Sequence, residues 1–186
     1  MSAKRVASRY AKSLIELAVE KGVLEEVHQD MQQLLSLVGS SRDFGLLLKS
    51  PIHKSELKLK VIKELFSKSA QELTLSFYTI LSKKNRENLL PEIATEYHEQ
   101  YNDHKDIQVA DLTTTFKIDD SMRKQFEAAV KEISGRSKVE LVEKIDKDII
   151  GGFVLKVNDR QLDETMASKL KALRLEFSNN HFEKQF

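Results

Sequence analysis

His98-Glu99-Gln100-Tyr101-Asn102 opens like the helix of a zinc protease, where two histidines one turn apart hold a metal beside a glutamate base. Asn102 stands where the second histidine is needed, so the face lacks a ligand. The five histidines, at 28, 53, 98, 104 and 181, are scattered. Each reads as a surface or core-edge residue, not a catalytic base. Ser-His-Asp sets can be assembled on paper, but no spacing singles one out. Gly135-Arg136-Ser137-Lys138 lacks the spacing of a phosphate cradle. Gly151-Gly152 precedes a strand, whereas a dinucleotide loop follows one and opens a helix. The chain has no cysteine, which excludes disulfides and thiolate metal sites. No catalytic residue, metal or cofactor is expected.

Two features rise above that background. One is the opening helix, where Ala7, Tyr10, Ala11 and Leu14 set small and aromatic groups on neighbouring faces. It is either one ordinary buried stripe or two apolar faces, the second for a partner helix lying in a groove. The other runs from Ile145 to Asp159, where acidic residues flank Gly151-Gly152 at a strand entrance. The glycines either serve a bend or bulge, or permit positive φ or a close backbone approach.

These features need elements to hold them. With 186 residues the chain is long enough to bury roughly 70% of its unfolded surface without metals or disulfides. Its 30 basic and 29 acidic side chains balance, unlike the basic excess of a nucleic-acid binder. No stretch approaches the roughly 20 apolar residues of a membrane span, and no signal core precedes the first helix. A soluble cytosolic protein is expected. The first hundred residues predict six helices. The first carries Val6, Tyr10, Leu14 and Leu17, with Ala7, Ala11, Ile15 and Ala18 beside them. Leu24 to Val38 gives the second. A short third holds Phe44 to Leu48 and stops before Pro51. The fourth uses Leu57, Val61, Ile62, Leu65 and Phe66. The fifth, Leu73 to Leu81, is apolar on most sides and is expected at the bundle centre. The sixth starts near Pro91.

Near Asp103–Asp106 the pattern becomes β-branched and alternating. A strand from Ile107 leads to a helix with Met122, Phe126, Val130 and Ile133 inward, capped by Asp119 or Asp120. Val139–Ile145, Phe153–Val157 and Arg160–Leu162 predict further strands, with a turn at Asn158-Asp159. A last helix uses Met166, Leu170, Leu173 and Phe177, and the tail from Asn179 is expected to fray. The reading is an α+β chain: residues 1–105 a six-helix bundle, 106–186 a smaller α/β domain.

Three segments resemble the delta/OSCP family of F-type ATP synthases, in the right order across almost the whole chain. They are Ala7-Ser8-Arg9-Tyr10-Ala11-Lys12-Ser13-Leu14; Phe77-Tyr78-Thr79-Ile80-Leu81 with Asn85-Arg86 and Leu90-Pro91; and Ile145-Asp146 through Gly151-Gly152-Phe153 to Asp159 and Asp163. Asn158 and Glu164 stand where relatives often carry glycine, and asparagine tolerates positive φ better than most residues. The resemblance implies a non-catalytic stator connector, peripheral on the cytoplasmic face of a bacterial inner membrane and attached only through its complex. It implies that the first domain grips the N-terminal helix of an alpha subunit in a groove between the first and fifth helices. The candidate groove residues are Tyr10, Ala11, Leu14, Phe77, Ile80 and Leu81, some of which belong to the bundle core. It implies that the second domain engages the b subunits of the peripheral stalk, with Asp146, Gly151, Gly152, Asp159 and Asp163 as a structural signature. The rival readings are a helical nucleic-acid-binding module using Lys4, Arg5, Arg9, Lys12, Lys83, Lys84 and Arg86, and a small enzyme with an unlisted site.

Overall fold

The computed structural model describes residues 3–67 and 70–178. The expectations for His181 and for the tail from Asn179 lie outside them. The chain divides into two compact units, Met1–His104 and Lys105–Phe186.

The first unit holds α1 (Ala3–Lys21), α2 (Leu24–Ser40), α3 (Arg42–Lys49), α4 (Ser55–Phe66), α5 (Glu72–Lys83) and α6 (Leu90–His104), with a 3-10 turn at Glu87–Leu89. The Ser41 hydroxyl caps α3 by accepting from Phe44 N–H at 3.3 Å. α6, not α5, is the central helix: both α1 and α2 pack on it, whereas α5 packs on α4, α2 and the 3-10 turn. The apolar residues all round α5 misled the periodicity argument, because Ile80 on its outer side stays 52% exposed. Lys58, Ile62 and Phe66 are the inward residues of α4, while Leu57 and Leu65 face out. A lysine lies inward because its Nζ donates to the Leu48 carbonyl at 2.9 Å, satisfying an end carbonyl of α3.

The second unit holds β1 (Ile107–Thr114), α7 (Asp120–Ser134), β2 (Lys138–Ile145), β3 (Phe153–Val157), β4 (Arg160–Asp163) and α8 (Met166–Ser178). The sheet order is β2-β1-β3-β4. β1 and β2 are parallel, joined through α7; β1–β3 and β3–β4 are antiparallel. Ala110, Leu112, Ile118, Val130, Leu155 and Val157 form the core, with Met122, Phe126 and Phe153 packed against it. Ile133 is partly exposed, one turn beyond Val130 at the end of α7. Asp119 occupies the N-cap of α7 but its side chain makes no cap bond. Arg123 instead pins α7 to β2, its Nε and Nη2 donating to Glu143 Oε1 at 2.9 and 2.6 Å.

Of the signature residues, Asp146, Gly151, Gly152 and Asp163 serve the entry to β3 and the start of α8, whereas Asp159 lies in the turn between β3 and β4. Asp146 accepts from Asp148 N–H at 2.9 Å, turning the chain after β2. The carbonyls of Ile149 and Gly151 accept the N–H groups of Ala167 (3.3 Å) and Met166 (2.9 Å). Asp163 accepts from Thr165 N–H at 2.9 Å and from the Ser168 hydroxyl at 2.7 Å. The Thr165 hydroxyl oxygen accepts from Ser168 N–H at 3.1 Å. The four N–H groups that a helix start leaves orphaned are thereby satisfied. Gly152 has φ +81°, and a Cβ there would lie 2.2 Å from the Glu164 carbonyl oxygen. Positive φ and close approach therefore both apply. Asn158 takes φ 52° in the two-residue turn before Arg160, and its amide pairs with that of Gln108. Asp159 is exposed in that turn.

α8 departs from the sequence expectation. Met166, Leu170, Leu173 and Phe177 are all exposed, Phe177 at 83%. Their 4-3-4 spacing makes a coiled-coil-like seam, and the described residues of this unit leave it uncovered.

Three outcomes follow from this architecture. A fragment of residues 1–105 should melt cooperatively and be mostly helical by circular dichroism; a broad, non-cooperative melt would show that the bundle lacks its own core. Gly152→Val should destabilise the second unit by at least ~2 kcal/mol, since strain at φ and overlap with backbone add; hydrogen exchange confined to β3 and α8 would register it. The hydrogen bonds from Thr165 N–H, the Ser168 hydroxyl and the Thr165 hydroxyl hold the Asp163 carboxyl below its usual range. A carboxylate depressed on folding stabilises above its unfolded pKa, about 3.9, and loses that contribution as pH falls through the folded value. The gap in melting temperature between wild type and Asp163→Asn should therefore be open at neutral pH and shrink under acid. A gap independent of pH would refute the assignment.

Candidate docking groove

α1 carries two apolar faces. Ala7, Ala11, Leu14, Ile15 and Ala18 are buried, Ala11 completely. Val6 and Tyr10 are half-buried and Leu17 is 44% exposed; with Ser13 they follow one another at i, i+4, i+7 and i+11 along the outer side. Leu14 thus parts from the stripe of Val6, Tyr10 and Leu17 and joins the alanine face. Small residues there let α6 lie close: Gln100 Nε2 reaches the Ser8 carbonyl and hydroxyl at 3.1 Å each.

The outer stripe meets α5 edge to face. The Tyr10 and Phe77 rings lie 6.2 Å apart at 71°. Ile80, one turn on from Phe77, projects outward. The six expected residues therefore divide. Tyr10 and Ile80 present surface, Phe77 an edge, and Ala11, Leu14 and Leu81 are core in the free chain.

Polar clamps at both ends of α5 position this wall. The buried Asp30 carboxylate of α2 accepts from Gln71 N–H at 3.0 Å and from the Thr74 hydroxyl at 2.6 Å, capping the α5 N-terminus. Burial, reinforced by Asp30, raises the neighbouring Tyr78 phenol far above its ordinary pKa, so it stays neutral. At the other end Asn85 takes φ 53°. Arg86 N–H donates to the Leu81 carbonyl (3.0 Å) and Asn85 N–H to that of Ser82 (2.9 Å), a Schellman motif. The Ser55 hydroxyl donates to Asn85 Oδ1 at 2.7 Å, and the Ser82 hydroxyl to the Ser55 carbonyl at 3.1 Å. The Schellman turn sets Arg86 over Tyr10: Nη1 donates to the phenol oxygen at 2.8 Å, and the guanidinium carbon lies 5.7 Å from the ring centroid. Periodicity overlooked Asp30, yet it lies on the same stripe as Val27, Met31 and Leu34. A carboxylate on an apolar stripe was the available signal.

The other candidate motifs resolve into structure. His98 stacks on His28 at 5.3 Å, and His28 on Tyr101 at 3.7 Å. Asn102 and Tyr101 are buried between α6 and its neighbours, because α6 is covered from two sides. Tyr101 donates to Glu25. Burial, and that carboxylate as acceptor and charge, push its phenol up to about 12. Gly135 is the left-handed stop of α7, and Arg136 donates to the Ile107 carbonyl at 2.9 Å, so this segment splices helix to sheet. Among the described residues no cluster of acids and histidines fits a metal, and no helix is long and apolar enough to cross a membrane. The basic opening also divides, for Lys4 pairs with Glu96 and Glu99 of α6.

Known proteins with the same design are ATP synthase subunits. The family profile described as ATP synthase delta (OSCP) subunit matches residues 6–177. ATP synthase subunit delta of Cytophaga hutchinsonii is 40% identical over 96% of this chain and 97% of its own. That of Flavobacterium psychrophilum is 33% identical over 96% of this chain and all of its own length. A chain of the Toxoplasma gondii mitochondrial ATP synthase hexamer, seen by electron cryo-microscopy, shares the fold with a TM-score of 0.72 at 23% identity, covering 92% of this chain and 97% of that one. None of these supports the nucleic-acid reading. Matched along nearly its whole length, the chain belongs to the ATP synthase delta (OSCP) subunit family.

Proposed function

We propose that this non-catalytic ATP synthase subunit links the catalytic head to the peripheral stalk through two unlike apolar surfaces, one on each unit. The groove between α1 and α5 takes the N-terminal helix of an alpha subunit. The α8 seam takes the C-terminal helices of the b subunits. The protein then sits at the cytoplasmic face of the membrane, held there only by its complex. The observations that carry the reading are the outward stripe of Val6, Tyr10 and Leu17 on α1, the exposed Ile80 on α5 and the Tyr10–Phe77 contact that joins the two helices. A stator link needs slow dissociation, not chemistry. Burying a large apolar side chain supplies roughly 1.5–3 kcal/mol, so a few anchors suffice.

On this reading the exposed residues belong to the groove and the buried ones to the bundle core. Titrated with a synthetic peptide copying the alpha N-terminal helix from the same genome, the full-length chain should bind one to one. Leu17→Asp and Ile80→Asp, both at exposed positions, should weaken binding by about tenfold or more each, since a desolvated unpaired carboxylate costs several kcal/mol and 1.4 kcal/mol is tenfold. Their melting temperatures should stay near wild type. Ala11→Asp should lower the melting temperature itself, because its Cβ is sealed in the core. Should the Leu17→Asp, Ile80→Asp double variant bind like wild type, the helix docks elsewhere.

A further inference from the structure

One end of the groove is built for charge. Val6, Arg9, Tyr10, Ser13 and Arg86 line a single recess. It contains two guanidinium groups and no carboxylate. Several cations elsewhere in the chain find acids: Lys4 has Glu96 and Glu99, Arg123 has Glu143, Lys144 has Asp111 and Lys169 has Glu164. Among the described residues neither Arg9 nor Arg86 has one. The Ser13 hydroxyl is occupied by the Arg9 carbonyl at 3.0 Å. Arg86 is not a loose surface chain. The Schellman turn fixes its backbone, and the Tyr10 phenol and ring fix its guanidinium. A guanidinium has five N–H donors, and Tyr10 uses one.

Resting on the groove reading above, we propose that this recess is a carboxylate site. An Asp or Glu of the docked helix seats between Arg86 and Arg9, and Arg86 selects which register of the helix binds. Two like charges sharing a recess repel, and an anion between them turns that repulsion into two charge-assisted hydrogen-bonded pairs. The source is a helix side chain rather than a free anion because Val6 and Tyr10 of the outer apolar stripe line the recess beside the two arginines. A small anion leaves that stripe wet; an amphipathic helix with an acidic flank covers both. Lys12, Lys83 and Lys84 add to the positive field nearby and speed encounter with such a partner.

The test is a double-mutant cycle on the full-length chain, with the alpha N-terminal peptide and variants of it in which each Asp or Glu is amidated in turn. Arg86→Gln should weaken binding about tenfold and flatten its dependence on salt. One peptide amide should show the same loss and add nothing further against Arg86→Gln, since coupled partners are non-additive. Arg86→Lys should recover only part of the affinity, because a point charge does not replace a planar fork. If Arg86→Gln disturbs the fold through Tyr10, Arg9→Gln on the exposed side of α1 should give the same coupling with an unchanged melt. Unaltered affinity in both variants, or losses additive with every peptide acid, would overturn the site. So would inorganic phosphate binding that depends on Arg86 with no peptide acid coupled. A wild-type chain that ignores the peptide would sink the groove reading as well, so the two failures are distinguishable.

Discussion

The alanine face of α1 is the contact on which the first unit depends. Ala7, Ala11 and Ala18 have no accessible surface, and Leu14 and Ile15 flank them. Small side chains let two helix backbones approach, and the packing they gain is dispersion at short range. Having buried that face against α6, α1 has no use for its second apolar stripe within the bundle. Val6, Tyr10 and Leu17 therefore stay on its outer side. A helix with larger residues at 7, 11 and 18 would stand off from α6 and bury less of both.

In the second unit the comparable constraint is the start of α8. Its first N–H groups are met by two loop carbonyls, a carboxylate and a hydroxyl drawn from residues 149–165. Gly152 is the residue that lets the loop come this near, since any Cβ would overlap the Glu164 carbonyl. Ile150 takes φ 66°, a strained position for a β-branched residue, within the same loop. Such strain persists where surrounding bonds over-determine the backbone, as the two carbonyl contacts to α8 do here. Helix α8 is thus anchored by its end rather than by its side, which is how its seam remains exposed.

Element types were legible in the sequence because they follow from local periodicity and punctuation. Six helices, the βαβ step and the two-residue turn at Asn158-Asp159 all carry such signals. Facing was less legible, because it is decided by partners distant in sequence. Lys58 points inward for the Leu48 carbonyl ten residues earlier, and no periodicity anticipates a lysine there. Asp30 is buried for Gln71 and Thr74, more than forty residues on. The seam of α8 has the spacing of a buried stripe, and spacing cannot say whether its cover lies in the same chain. For the groove, the sequence placed Tyr10, Phe77 and Ile80 together through resemblance, yet only the packing separates them from Ala11, Leu14 and Leu81.

Two magnitudes decide whether α5 can close onto α1. Closing α5 onto α1 would bury the exposed parts of Ile80 and Leu17, about half of each side chain. At roughly 1.5–3 kcal/mol for full burial, the gain is on the order of 2 kcal/mol for the two together. Moving α5 would strip the Asp30 carboxylate of the Gln71 N–H and Thr74 hydroxyl, leaving a buried charge unpaired. Leaving a buried acceptor unsatisfied costs about 1–3 kcal/mol, and more for a charged group. At the far end the Ser55–Asn85 and Ser82–Ser55 bonds resist the same motion. The polar clamps outweigh the apolar gain, so the wall stands where it is. Under the proposed docking, a partner helix would meet a preformed surface and lose little of its binding energy to rearrangement, which favours slow dissociation.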